Sequence, residues 1–148
     1  MSVRSQAMRS RGFSLLEVLI AIVVLSIGLL GLAGMMASTM RNNHSAYHRT
    51  QATWLAYDVI DRVRVNRQVA LAPNNNYNVA IGAATASTGI AATDINDWKT
   101  RLAEALPEGD GSVAVNAGNR TVTVIIQWND ARGTQGNETQ QFRVDTQL

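Results

Sequence analysis

From Val18 to Ala37 the chain carries 20 consecutive residues without a charge, VLIAIVVLSIGLLGLAGMMA. At about 1.5 Å rise per residue, a helix of that length covers roughly 30 Å, the hydrocarbon thickness of a bilayer. The rest of the chain is therefore expected to hang on a membrane helix. The residues before it hold Arg4, Arg9 and Arg11 and no acid before Glu17. That bias keeps the N-terminus in the cytoplasm and sends Arg41 to Leu148 to the far side. No second apolar run of this length follows, so one crossing is expected. Residues 1–12 are expected to be a processing segment. No A-x-A-like cleavage site follows Met35 and Met36, so the apolar helix itself is expected to stay in the mature protein.

Glu17 stands out at the head of this run. A carboxylate in a membrane segment costs roughly 2.5–3.5 kcal/mol at its centre and less toward an end. A local explanation exists: Ser14-Leu15-Leu16-Glu17 has capping-box spacing, and an acid in a first turn suits the helix dipole. A second explanation is that Glu17 awaits a cation from another chain. Cleavage after Gly12 would create one, the free amine of Phe13. In a helical array of such segments, a staggered neighbour's amine would meet Glu17 in low dielectric, where an unpaired charge is costly.

The residues Arg11-Gly12-Phe13-Ser14-Leu15-Leu16-Glu17-Val18 resemble the class III signal of type IV prepilins and pseudopilins. The resemblance implies that a prepilin peptidase cleaves between Gly12 and Phe13 and N-methylates Phe13. It also implies that Glu17 is the acid required for assembly. Further on, Ser26 to Gly34, Arg41 to Tyr47 and Gln51 to Asn66 look like PilV-type minor pilins. The likeness is clear from Arg9 to about Asn66 and only general beyond.

The implied architecture is the α+β pilin fold, a long N-terminal helix packed on a small antiparallel sheet. Residues 1–12 would be the leader, 13–40 the transmembrane and filament-core helix, and 41–148 a periplasmic globular domain. The implied function is that of a minor type IV pilin that helps prime pilus assembly and forms part of the tip complex. Its partners would be the prepilin peptidase, other minor pilins, the major pilin, a pilus-tip adhesin, the inner membrane and the assembly platform within it. The implied location is the inner membrane and then the assembled pilus at the cell surface. A minor pseudopilin of type II secretion shares the first part of this helix. A pilin-like DNA-uptake receptor is a rival of a different class.

Net charge is +2, from 13 Lys and Arg against 11 Asp and Glu. Removing Arg4, Arg9 and Arg11 leaves 10 bases against those 11 acids, so the mature chain is not basic and nucleic acid is not an expected partner. There are no cysteines, so the distal domain must hold by packing alone. Many major pilins close their C-terminal loop with a disulfide, and this chain departs from that pattern. Gly28, Gly31 and Gly34 recur every three residues, which suits either close helix–helix approach or a weak point in the helix.

No proline occurs before Pro73, so the helix is expected to continue beyond the membrane. Ala52, Leu55, Ala56, Val59, Ile60 and Val63 form a stripe at helical spacing, which the chain's own sheet would cover. Asp58 and Arg62 would pair weakly on the wet face. The helix should end between Asn66 and Ala72. Leu71 to Thr93 has turn chemistry, with one short strand expected at Tyr77 to Ile81. Asp94 to Leu106 reads as a short helix capped by Thr93 or Asp94, with Ile95, Trp98, Leu102 and Leu106 on its apolar face. Ser112 to Asn116, Arg120 to Trp128 and Glu138 to Asp145 alternate as strands of a meander. The edges of that sheet and the loops Leu71–Thr93 and Asp130–Asn137 are the expected lateral contact surfaces.

Little else in the chain points to chemistry. His44 and His48 stand at i, i+4 on the expected helix, but zinc needs three or four protein ligands and no further donor lies near in sequence. A surface pair is expected, with neither metal nor cofactor. No nucleophile has an evident base and orienting acid, so no catalytic residue is assigned and no enzyme is expected. Gly109-Asp110-Gly111 reads as a turn. Arg62, Arg64 and Arg67, with Trp54 and Tyr57 upstream, form a basic patch diluted by Asp58 and Asp61.

Overall fold

A computed structural model describes residues 12–85, 88–133 and 136–148. The basic head before Gly12 lies outside the described residues, as do Ala86, Ser87, Thr134 and Gln135 within the two loops. The chain divides into two compact units, Met1–Thr39 and Met40–Leu148. One helix, α1 (Leu15–Val65), contributes to both.

In the first unit the described part of α1 is uninterrupted helix, and its apolar side chains are exposed throughout. This helix is long and apolar enough to cross a membrane. Among the described residues nothing within the unit covers these side chains, an apolar surface suited to lipid or other protein. Gly28, Gly31 and Gly34 lie in regular helix, and a Cβ at any of them would meet no atom within 4 Å.

The second unit is an α+β domain. It comprises the distal part of α1, the one-turn helix α2 (Arg67–Ala70), α3 (Ile90–Ala105), and a sheet of β1 (Asp110–Asn116), β2 (Thr121–Trp128) and β3 (Gln140–Gln147). The strands run antiparallel in the order β1-β2-β3. Val122, Val124, Ile126 and Trp128 all point into the core, as their alternation predicts. They meet Ala52, Ala56, Val59, Ile60 and Val63 of α1 in one cluster, with Leu55, Phe142 and Val144 packed at its margin. The amphipathic half of the long helix is thus seated on the sheet. Two alanines in the stripe let the helix backbone come close to its neighbours.

α3 closes the core with Ile95, Trp98 and Leu102, and Leu106 follows at its end. The buried indole of Trp98 donates to the Leu55 carbonyl of α1 at 2.9 Å, which satisfies its N–H inside the core. Gly111 makes room for that ring. A Cβ there would stand 2.5 Å from Trp98 Cη2 and 3.0 Å from the Ile125 carbonyl oxygen.

Several boundaries differ from the sequence expectation. α3 begins at Ile90 rather than Asp94, with Gly89 at its N-cap in an extended positive-φ conformation. Neither Thr93 nor Asp94 caps it. Thr93 bonds back to the Gly89 carbonyl, and the Asp94 carboxylate is engaged by Tyr77, Asn66 and Arg62. The helical run ends at Ala70, within the expected range, but Asn66 splits it into α1, ending at Val65, and α2. The short strand expected at Tyr77 to Ile81 is a single bridge, Val79 with Val113. Arg120 belongs to the turn before β2, with φ of 53°. β3 starts at Gln140 because Asn137 holds the chain in a turn, its side-chain oxygen accepting from Thr139 N–H. Asp110 and Gly111 lie in β1, and only Gly109 of that triplet precedes it.

Gly111→Ala should destabilise the second unit by about 1–3 kcal/mol, because the new methyl must displace the Trp98 ring or the β2 backbone. Denaturant unfolding of the full chain in maltoside micelles, followed by tryptophan fluorescence, measures this.

Candidate functional site

Gly12, Phe13 and Ser14 precede the first turn of α1 and are exposed. Phe13 presents 84% of its surface to the surroundings. A Cβ at Gly12 would meet nothing within 4 Å, so no contact among the described residues requires glycine there. Ser14 caps the helix: its Oγ accepts from Leu16 N–H at 3.3 Å, and its carbonyl accepts from Glu17 and Val18 N–H.

The capping-box explanation of Glu17 is only half realised. The serine hydroxyl serves Leu16 rather than Glu17, and the Glu17 carboxylate makes no hydrogen bond among the described residues. It is exposed on the apolar helix, three residues past the cap. An anion there in a water-poor setting needs a partner, and none stands beside it among the described residues.

Residues 7–33 match the family model of the prokaryotic N-terminal methylation motif. The match covers Gly12, Phe13, Glu17 and most of the uncharged run. The chain thus carries a class III prepilin signal and is type IV pilin-like. No curated protein and no solved structure matches it significantly. A prepilin signal implies processing by a prepilin peptidase and assembly into pili or pilus-like fibres in general. The motif and the exposed apolar helix fit membrane anchoring and a structural rather than enzymatic role.

The other sequence candidates are all placed in the second unit. The expected Asp58–Arg62 pair forms, and Arg62, half-buried, has two further acidic neighbours. Its guanidinium reaches Asp58 at 3.1 Å, Asp94 at 3.4 Å and Asp97 at 3.8 Å. Arg64 meets Asp61 at 3.2 Å and donates to Thr146 Oγ1. Two of the three arginines of the basic patch are thereby committed within the domain, which weakens it as a nucleic-acid surface. His44 and His48 line an open cleft. Among the described residues, no group of three or more His, Cys, Asp or Glu side chains is placed to hold a metal.

Arg62 also anchors a polar network that the sequence did not reveal. Tyr77 is fully buried; its hydroxyl donates to Asp94 Oδ2 at 2.6 Å and accepts from Asn66 Nδ2 at 2.9 Å. This ties the loop after α2 to α3 and to the junction between α1 and α2. Tyr77 sits in an asparagine-rich turn region, where periodicity gives no sign of burial. A second tie is Lys99, whose ammonium meets Asp110 at 3.0 Å and the carbonyls of Ala80 and Ala83. Gly82 and Gly111 N–H groups and Lys99 hold the Asp110 carboxyl below its usual range, against the opposing effect of burial.

Burial and the neighbouring Asp94 carboxylate push the Tyr77 phenol up to about 12. The folded state then holds its proton more tightly than the unfolded chain, whose tyrosine titrates near 10. Stability from this group should be complete below pH 10 and fall between pH 10 and about 12. Tyr77→Phe should flatten that fall, as measured by denaturant midpoints across the alkaline range.

Proposed function

We propose that the chain is a minor type IV pilin of the PilV type, which helps prime pilus assembly and takes a place in the tip complex. In this reading residues 1–12 are a leader cut after Gly12, 13–40 form the membrane and filament-core helix, and 41–148 fold in the periplasm. Phe13 becomes the methylated N-terminus. Glu17 neutralises the Phe13 amine of a neighbouring subunit and sets the axial register. Other minor pilins, the major pilin, a tip adhesin and the inner-membrane assembly platform are the remaining partners. The chain leaves the inner membrane as it enters the pilus.

One observation carries this reading: a matched prepilin signal runs directly into a helix with an uncovered apolar surface, whose far end is seated on a small antiparallel sheet. The unshared carboxylate of Glu17 supports its role in pairing. The same signal also serves pseudopilins, so a minor pseudopilin of type II secretion is the second reading. Recovery of the full chain with its neighbours after mild cross-linking separates them, since pilins and an adhesin or secretion pseudopilins are captured.

Glu17→Ala should leave cleavage after Gly12 intact while lowering recruitment into pili at least about tenfold, as expected when one member of a desolvated ion pair is removed. Mass spectrometry of the mature N-terminus reads the first, and immunoblots of sheared pili read the second. Unchanged recruitment would refute the role given to Glu17.

A further inference from the structure

An open cleft of about 800 Å³ lies within the second unit, lined by Arg41, His44, His48, Glu108, Asp130 and Arg132 among others. Its charges are mixed and individually placed. Asp130 is a carboxylate only 5% exposed, whose Oδ2 accepts from Ser45 Oγ at 2.5 Å. Backbone bonds from Asp130 N–H to the Asn137 carbonyl and from Gly133 N–H to the Asp130 carbonyl fix it in its loop. Glu108 is steadied by Asn129 Nδ2 at 3.2 Å, on a turn with φ of 52°. His48 Nδ1 is buried with no hydrogen-bond partner.

Arg41 and Arg132 share with Arg49, Arg67 and Arg120 the lack of an ion pair among the described residues, and these two line the cleft. Arg62, Arg64, Lys99, Arg101 and Arg143 each meet a carboxylate within 4 Å. Arg41 and Arg132 make no ion pair and no side-chain hydrogen bond among the described residues. A simple anion in this cleft would meet Asp130 and Glu108, and a simple cation would meet the two arginines. A zwitterion with a phosphate and an amine a few bonds apart satisfies both sets.

Position narrows the source. Arg41 directly follows Met40, the last residue of an uncharged run that began at Val18. A basic residue at that point of a membrane helix stands at the level of lipid phosphates. We propose that the cleft takes the phosphoethanolamine head group of a membrane phospholipid, with the phosphate on Arg41 and Arg132 and the amine at Asp130. This rests on α1 anchoring the chain in a membrane, and on no particular place in a pilus.

The test is calorimetric titration of the full chain in maltoside micelles. The probes are dihexanoyl phosphatidylethanolamine, glycerophosphoethanolamine, glycerophosphoglycerol and inorganic phosphate. Both ethanolamine probes should bind, several-fold more tightly than the glycerol analogue. Arg41→Gln and Arg132→Gln should each weaken them about tenfold or more, as for loss of a charge-assisted phosphate contact. Both side chains are exposed, so their loss spares the fold. Asp130→Asn should level the preference for the amine, and Arg49→Gln, outside the cleft, should change nothing.

Binding of the tailed lipid alone, indifferent to Arg41 and Arg132, would assign it to the apolar helix and overturn the proposal. Inorganic phosphate bound as tightly as the head group would make this a free-phosphate site and overturn the lipid assignment. No binding by any probe would overturn both. A chain that fails here yet is cleaved after Gly12 and enters pili leaves the pilin reading standing.

Discussion

The seam between α1 and the sheet governs the second unit. Ala52, Ala56, Val59, Ile60 and Val63 form one stripe of the helix, and every one is fully buried. They meet the inward-facing residues of β2 from the opposite side. At roughly 25 cal/mol per Å² of apolar surface, such a seam is the main favourable term holding the helix to the sheet. It is also what connects the folded domain to the apolar segment, because both belong to the same continuous helix. The Trp98 indole adds direction to an otherwise non-directional contact, since its bond to the Leu55 carbonyl fixes where α3 lies along α1. Gly111 has no side chain because the indole takes that space.

The first unit presents the reverse situation. Its side chains form no core with one another, and its apolar surface is left for lipid or for other helices. The single acid near its head, Glu17, has no partner among the described residues. The described part of this helix leaves its apolar surface and its one carboxylate to be met by groups outside it, lipid or other helices for the first and a cation for the second.

How much of this was legible in the sequence depended on periodicity. The α1 stripe and the alternation of β2 each repeat over several turns or pleats, and both faces were read correctly. The signal around Gly12 and Glu17 was legible because it is a short motif of unusual composition. What periodicity does not encode was missed. The start of α3 at Ile90 rests on Gly89 taking a positive φ, while Asp94, which looks like a cap, is drawn into the Tyr77 network. The burial of Tyr77 and the reach of Arg62 to Asp94 and Asp97 arise from contacts between residues far apart in the chain, whereas its i, i+4 pair with Asp58 was legible. The cleft joins α1 residues to a loop more than 80 residues away, as the Ser45–Asp130 bond records.

The loop that follows α2 is fastened at two points by side chains rather than by sulfur. Tyr77 locks onto Asp94 near its start, and Lys99 grips the carbonyls of Ala80 and Ala83 farther along. With no cysteine in the chain, these fastenings form as soon as the surrounding elements pack. They need no oxidase and no thiol exchange, and a reductant leaves them untouched. The domain should therefore mature equally well in cells whose oxidative folding machinery is impaired, where a disulfide-closed homologue would stall. Its vulnerability lies in extreme pH instead of redox state.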